Sequence, residues 1–204
     1  MAKGTAAERI LNLAASHGII SARDVREAGV HTQALTRLVR AGRLARVAPG
    51  QYRLSNSESD FTEHHGLVLA TAAAPRGVIC LLSALQFHEI GTQLPREVWL
   101  ALPRGTRAPR VDYPPLRVVR FSGEAFDTGV EHHVLEGRSV PIYSIAKTLA
   151  DCFKFRNRIG MDAVLEALSQ AWEDRRVALA EVDRYARICR VRNVMRPYLE
   201  AIAA

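Results

Sequence analysis

Between residues 33 and 40 lie four side chains of the types that read base edges. Gln33, Thr36, Arg37 and Arg40 fall at i, i+3, i+4 and i+7, one continuous stripe if the segment is helical. A glutamine amide matches the donor and acceptor of adenine in the major groove, and a guanidinium matches the two acceptors of guanine. Thr32 stands just before the stripe, while Leu35, Leu38 and Val39 fall on the other, core-facing side. Arg43, Arg46 and Arg53 follow at positions suited to phosphate or to the minor groove. These eight polar residues (Thr32, Gln33, Thr36, Arg37, Arg40, Arg43, Arg46, Arg53) form a candidate surface for double-stranded DNA.

A second group lies near the C-terminus: Lys147, Asp151, Lys154, Arg156 and Arg158. The first three sit at i, i+4 and i+7 of a predicted helix, either as a polar stripe that contacts anions or as a surface ion pair on an amphipathic helix. A nuclease carboxylate–lysine pair would need D/E-x-K at a strand end; Asp151-Cys152-Phe153-Lys154 has a different spacing and falls on a helix. The adjacent pairs His64-His65 and His132-His133 make poor metal clamps, since neighbouring side chains diverge on a helix and on a strand alike. No nucleophile elbow, zinc-protease helix or glycine-rich phosphate loop occurs. Cys80, Cys152 and Cys189 are odd in number and far apart, as expected of buried free thiols. The expectation is therefore a protein that is not an enzyme, with no cofactor and no metal.

The elements needed to present the first stripe are legible. Thr5 can cap a helix over 6–17, and Ile19-Ile20 suits a short strand. Ser21 can cap a helix over 22–28, Gly29-Val30-His31 turns the chain, and Thr32 can cap a helix over 33–41 that Gly42 ends. Residues 44–47 and 51–54 flank Ala48-Pro49-Gly50 as a hairpin. Helix, turn, helix and basic wing is an arrangement that places a helix in the major groove. Charge agrees: residues 1–57 hold nine basic and three acidic side chains, so six of the chain's seven net positive charges sit there.

The polar stretch 55–60 predicts a linker or a capped helix start, with a winged helix-turn-helix domain over 1–57 and a second domain over 58–204. There, helices are predicted over 61–74, from a Ser83 cap to residue 89, and over 144–155, 161–173, 179–190 and 194–203. Strands are predicted over 98–102, 116–121, 130–135 and 140–143. The fold class is α+β: a winged helix-turn-helix followed by a mixed α/β domain with a helical C-terminal tail. With 204 residues, 48% of them hydrophobic, the chain can bury a proper core. The richest apolar stretch, 66–85, is broken by Pro75-Arg76-Gly77, and no signal-peptide pattern opens the chain, so the expectation is a cytoplasmic protein without membrane association.

Four stretches resemble the AbiEi-type antitoxins of bacterial type IV toxin–antitoxin systems. They are Arg37 through Tyr52, Leu82 through His88, Leu102 through Pro109, and Lys147 through Asp162. The resemblance implies an N-terminal winged helix and a C-terminal domain that carries antitoxin activity. It implies repression of the protein's own operon through inverted repeats, and a partner gene for a nucleotidyltransferase-like toxin, countered without a stable complex. On this resemblance Lys147, Asp151, Lys154, Arg156 and Arg158 are candidates for antitoxin function, their roles unassigned. The chain departs from longer members of the family in being compact. The alternative is a plain winged-helix regulator whose second domain senses a ligand or mediates assembly.

Overall fold

The structure, a computed structural model, describes residues 5–55 and 62–203. The expected domain boundary after Ser57, and the expected helix start at Phe61, lie outside the described residues. The chain divides into two compact units. The first takes residues 1–75, 109–114 and 133–140; the second takes 76–108, 115–132 and 141–204.

The first unit opens with α1 (Ala6–His17), β1 (Ile19–Ser21), α2 (Ala22–Glu27), α3 (Gln33–Arg40), β2 (Leu44–Ala48) and β3 (Gln51–Leu54). Two capping boxes fix the first helices. Thr5 and Glu8 exchange backbone-to-side-chain bonds of 2.8 and 3.2 Å, and Ser21 and Asp24 do the same at 2.7 and 3.2 Å. β3 is the central strand of an antiparallel sheet of order β1-β3-β2, with Ile19 opposite Arg53 and Leu44 opposite Leu54. Ile10, Ala14, Ile20, Val25, Leu35, Leu38 and Leu44 close one core beneath the helices and the wing. This is the three-helix core that the apolar spacing predicts.

The same unit contains α4 (His65–Ala73) and a segment from much later in the chain, residues 133–140. Glu136 accepts from the Thr62 backbone N–H (3.2 Å) and hydroxyl (3.0 Å), and its other oxygen lies 2.8 Å from His65 Nδ1. Arg138 donates to the Ile19 carbonyl and sits 3.3 Å from Asp24 Oδ2. Both links join residues more than seventy positions apart, so no local pattern announces them.

Next come β4 (Val78–Ile79), α5 (Leu81–Phe87), β5 (Val98–Pro103), β6 (Leu116–Phe121), α6 (Glu124–Asp127), β7 (Val130–Leu135) and β8 (Arg138–Tyr143). They are followed by α7 (Ile145–Lys154), α8 (Arg156–Ile159), α9 (Met161–Glu173), α10 (Leu179–Ile188) and α11 (Arg192–Ala203). The five strands form a mixed sheet of order β6-β5-β4-β8-β7. β4 pairs antiparallel with β5 and parallel with β8, and β5 runs parallel to β6. The fold is thus α+β with a helical C-terminal tail. Ser83 does not cap α5. Cys80 holds that position, and the Ser83 hydroxyl instead accepts the Trp99 backbone N–H at 2.9 Å.

In the second unit α7 is the hub. It packs against α5, α9, α10 and α11, and every residue from Ala146 to Phe153 is buried. This overturns the surface stripe expected of Lys147, Asp151 and Lys154. A helix covered on several sides has no solvent face for its middle turns, so Lys147 and Asp151 are both fully buried and only Lys154 is exposed. The three cysteines are free and buried. Among the described residues, no helix is long and apolar enough to cross a membrane.

Candidate nucleic-acid interface

α3 is pinned from below by Leu35 and Leu38. With two side chains of consecutive turns in the core, the opposite face must point outward. Gln33, Thr36, Arg37 and Arg40 are all exposed, and Thr32 is half-buried. Thr32 does not cap the helix. Its backbone is already helical (φ −62°, ψ −18°), and a capping hydroxyl works from an extended backbone. The first turn closes one residue earlier: Ala34 N–H donates to the His31 carbonyl (3.1 Å), and Gln33 N–H donates to His31 Nδ1 (3.3 Å). His31 is the residue the sequence pattern missed here, since a histidine cap carries no common signature.

The helix stops in a way that sets the wing. Gly42, at φ +66°, donates to the Val39 carbonyl (3.0 Å), and Arg43 N–H donates to the Leu38 carbonyl (2.9 Å). This pair of bonds needs a left-handed residue at position 42, which glycine adopts without a Cβ penalty. The turn leaves Arg43 exposed and delivers Leu44 into the core. Arg46 is exposed on β2 opposite Tyr52. Arg53, by contrast, sits half-buried on the central strand between Ala45 and Ile19.

Among the described residues, the acids of this segment are engaged elsewhere. Glu8 belongs to the α1 capping box, Asp24 to Ser21 and Arg138, and Glu27 lies 2.7 Å from Arg23. The positive potential of Arg37, Arg40, Arg43 and Arg46 is therefore left for solvent and whatever approaches from it.

The second candidate group separates into two. The Lys147 ammonium donates to Asp151 Oδ2, and Cys189 Sγ donates to Asp151 Oδ1 at 3.1 Å. The ammonium also lies 4.1 Å from the Tyr143 ring centre and 4.8 Å from that of Phe121. Burial raises the Asp151 carboxyl above its ordinary value, with the Lys147 charge pulling the other way. Burial also pushes the Cys189 thiol up to about 12, so it stays a thiol. This cluster is internal and closed to solvent. Lys154 and Arg158 are exposed, Arg158 lying over the Phe155 ring at 5.7 Å, while Arg156 is half-buried and donates to the Phe153 carbonyl at 3.0 Å. Lys154 lines a cavity with Arg104, Arg187 and Arg190, residues far apart in sequence that the spacing of the chain could not associate. Among the described residues, no group of three His, Cys, Asp or Glu side chains is placed to hold a metal ion.

Three helices, the third arginine-bearing and facing outward, and an antiparallel wing define residues 5–55 as a winged helix-turn-helix. Residues 8–55 match the model of a family described as transcriptional regulator, AbiEi antitoxin. Among solved structures, the chain is similar to the RV2827C protein from Mycobacterium tuberculosis, at 18% identity and a TM-score of 0.51, over 89% of this chain and 71% of that one. At that identity the likeness is one of fold. No curated protein matches the chain.

Proposed function

We infer that the chain is a DNA-binding antitoxin that represses its own operon through inverted repeats and counters a nucleotidyltransferase-like toxin without a stable complex. The observation that carries this is the exposed stripe Gln33, Thr36, Arg37 and Arg40 on α3, within a segment that matches an antitoxin regulator family. Gln33, Arg37 and Arg40 are assigned to base edges. Thr32 and Thr36 are assigned to the edge of the groove, and Arg43, Arg46 and Arg53 to the phosphates that flank it. The protein acts in the cytoplasm on duplex DNA, with no cofactor and no catalytic step of its own.

Protection from the toxin is assigned to the second unit. Lys154, Arg156 and Arg158 supply its contacts, and Lys147 and Asp151 hold the helix that carries them. Two arms on the full chain test this. In the first, a reporter driven by the chain's own promoter is repressed by the wild type and released by Arg37→Ala/Arg40→Ala. In the second, the neighbouring nucleotidyltransferase gene is co-expressed, and its toxicity is relieved by both proteins. Repression that survives the double substitution sinks the DNA assignment. Toxicity that the wild type cannot relieve sinks the antitoxin assignment.

A further inference from the structure

We propose that the cavity between the end of α7, the end of α10 and the β6–α6 turn is a binding site for an oligophosphate chain, free or as the tail of a nucleoside triphosphate. The cavity measures about 610 Å³, and its wall includes Arg104, Ser122, Glu124, Lys154, Arg187 and Arg190. That volume is ordinary for a small-molecule site. Four cations from three parts of the chain meet one acid, so the wall carries a local excess of three positive charges. Guanidinium groups match phosphate oxygens two at a time, and lysine adds a point charge.

Of these exposed cations, Arg187 is held through its side chain, and the other three are placed by their backbone. Arg104 follows β5 directly, and its backbone N–H is tied to the Phe121 carbonyl at 3.1 Å. Arg187 donates to Asp183 through Nε (3.0 Å) and Nη2, while Arg192 Nε holds the other carboxylate oxygen at 2.7 Å. Lys154 is the last residue of α7. Among the described residues, the wall contains no aromatic ring on which a base could stack, so recognition is of phosphate and not of base identity. A cavity walled by cations from three segments fits a short chain of phosphates. A duplex backbone asks instead for charges along an open face, as α3 provides.

Arg190 supplies a clean test. It stands just past α10 at φ +59°, in the left-handed position where glycine is most at ease; its N–H donates to the Arg187 carbonyl at 3.0 Å and Val191 N–H donates to the Ala186 carbonyl at 2.8 Å. Glu89 and Arg175 occupy left-handed positions as well, so the strain is not itself evidence of a ligand. It does mean that Arg190→Gly removes the guanidinium while easing the backbone. Loss of binding in this variant cannot be put down to misfolding.

The experiment is titration calorimetry of the full chain with inorganic tripolyphosphate, ATP, GTP and adenosine at physiological salt, paired with thermal melts. One tripolyphosphate binds per chain and adenosine does not. Arg190→Gly weakens binding by about tenfold, at an unchanged or higher Tm, and Arg104→Ala/Lys154→Ala abolishes it. Equal affinity for ATP, GTP and tripolyphosphate shows that the shared phosphate chain is the ligand from either source; tighter binding of ATP and GTP assigns the nucleotide tail, and tighter binding of tripolyphosphate assigns the free chain. The proposal is overturned if neither binds or if Arg190→Gly binds as the wild type does. It is also overturned if the signal is lost only with Arg37→Ala, or if random duplex DNA competes in the Arg37→Ala/Arg40→Ala background.

Discussion

Lys147 and Asp151 form an ion pair one turn apart in which neither side chain reaches solvent, and the carboxylate's remaining oxygen is taken by Cys189 at 3.1 Å. Breaking such a pair leaves an uncompensated charge in the core, whereas removing both charges does not. Lys147→Ala is expected to lose about 3–5 kcal/mol in urea unfolding. Lys147→Met/Asp151→Leu should recover most of that loss. A double variant as unstable as the single one would mean that the pair is needed for more than charge compensation.

DNA affinity should respond in two distinguishable ways. Arg37→Ala is expected to cost about 1–3 kcal/mol and to relax preference at a single base pair. Arg46→Ala should weaken all sequences alike and make the salt dependence shallower. With the phosphates met by Arg43, Arg46 and Arg53, about three contacts, the slope of log K against log salt is about −2.7. Fluorescence anisotropy on operator and scrambled duplexes across salt concentrations measures both effects. Salt-independent binding would contradict the surface assigned to α3 and the wing.

Gly129 lies over the buried pair at φ +74°, and a Cβ there would stand 2.7 Å from Lys147 Cβ and 3.1 Å from Tyr185 Cζ. Neither neighbour is the free end of a flexible chain, and its own backbone conformation disfavours any other residue. Gly129→Ala should therefore lose about 3 kcal/mol from clash and strain together. A midpoint in urea within experimental error of the wild type would refute the packing described around Lys147.

Hydrogen bonds from Arg192 and Arg187 hold the Asp183 carboxyl below its ordinary 3.8. The native state then binds fewer protons than the unfolded chain in that range. The pairing contributes stability above the ordinary value, and the contribution is lost as pH falls through the lowered one. The partners are more than half exposed (63% and 52%), so the contribution is below about 1 kcal/mol. Asp183→Asn should be less stable than the wild type at pH 7, and the gap should shrink once the pH is taken below 3.8. A gap of the same size at both pH values would show that the carboxylate charge plays no part.

The elements of residues 5–55 were readable because each rests on local chemistry. Capping boxes, a glycine stop and apolar residues at helical spacing all lie within a few positions of what they determine. The short pieces escaped. β4 has two residues, and α6 and α8 four each, too few for any period to register. Lys147 and Asp151 were misplaced for another reason. Opposite charges at i, i+4 look the same on a solvated helix as on one enclosed by α5, α9, α10 and α11, and only tertiary packing distinguishes the two. The cavity was illegible because Arg104, Lys154 and Arg187 converge from positions dozens of residues apart. Of the residues proposed to face DNA, Arg53 is the one whose placement depends on strand order, since a central strand half-covers what an edge strand would expose.

Glu136 and Arg138 belong to a stretch that the polypeptide supplies only after the second unit is well under way. No single cut in the gene separates one unit from the other. A fragment ending at residue 75 would encode α3 and the wing but lack the contacts that Glu136 makes to His65 and Arg138 makes to Ile19 and Asp24. During synthesis, too, the first unit must wait for the ribosome to pass residue 140 before its last ties can form.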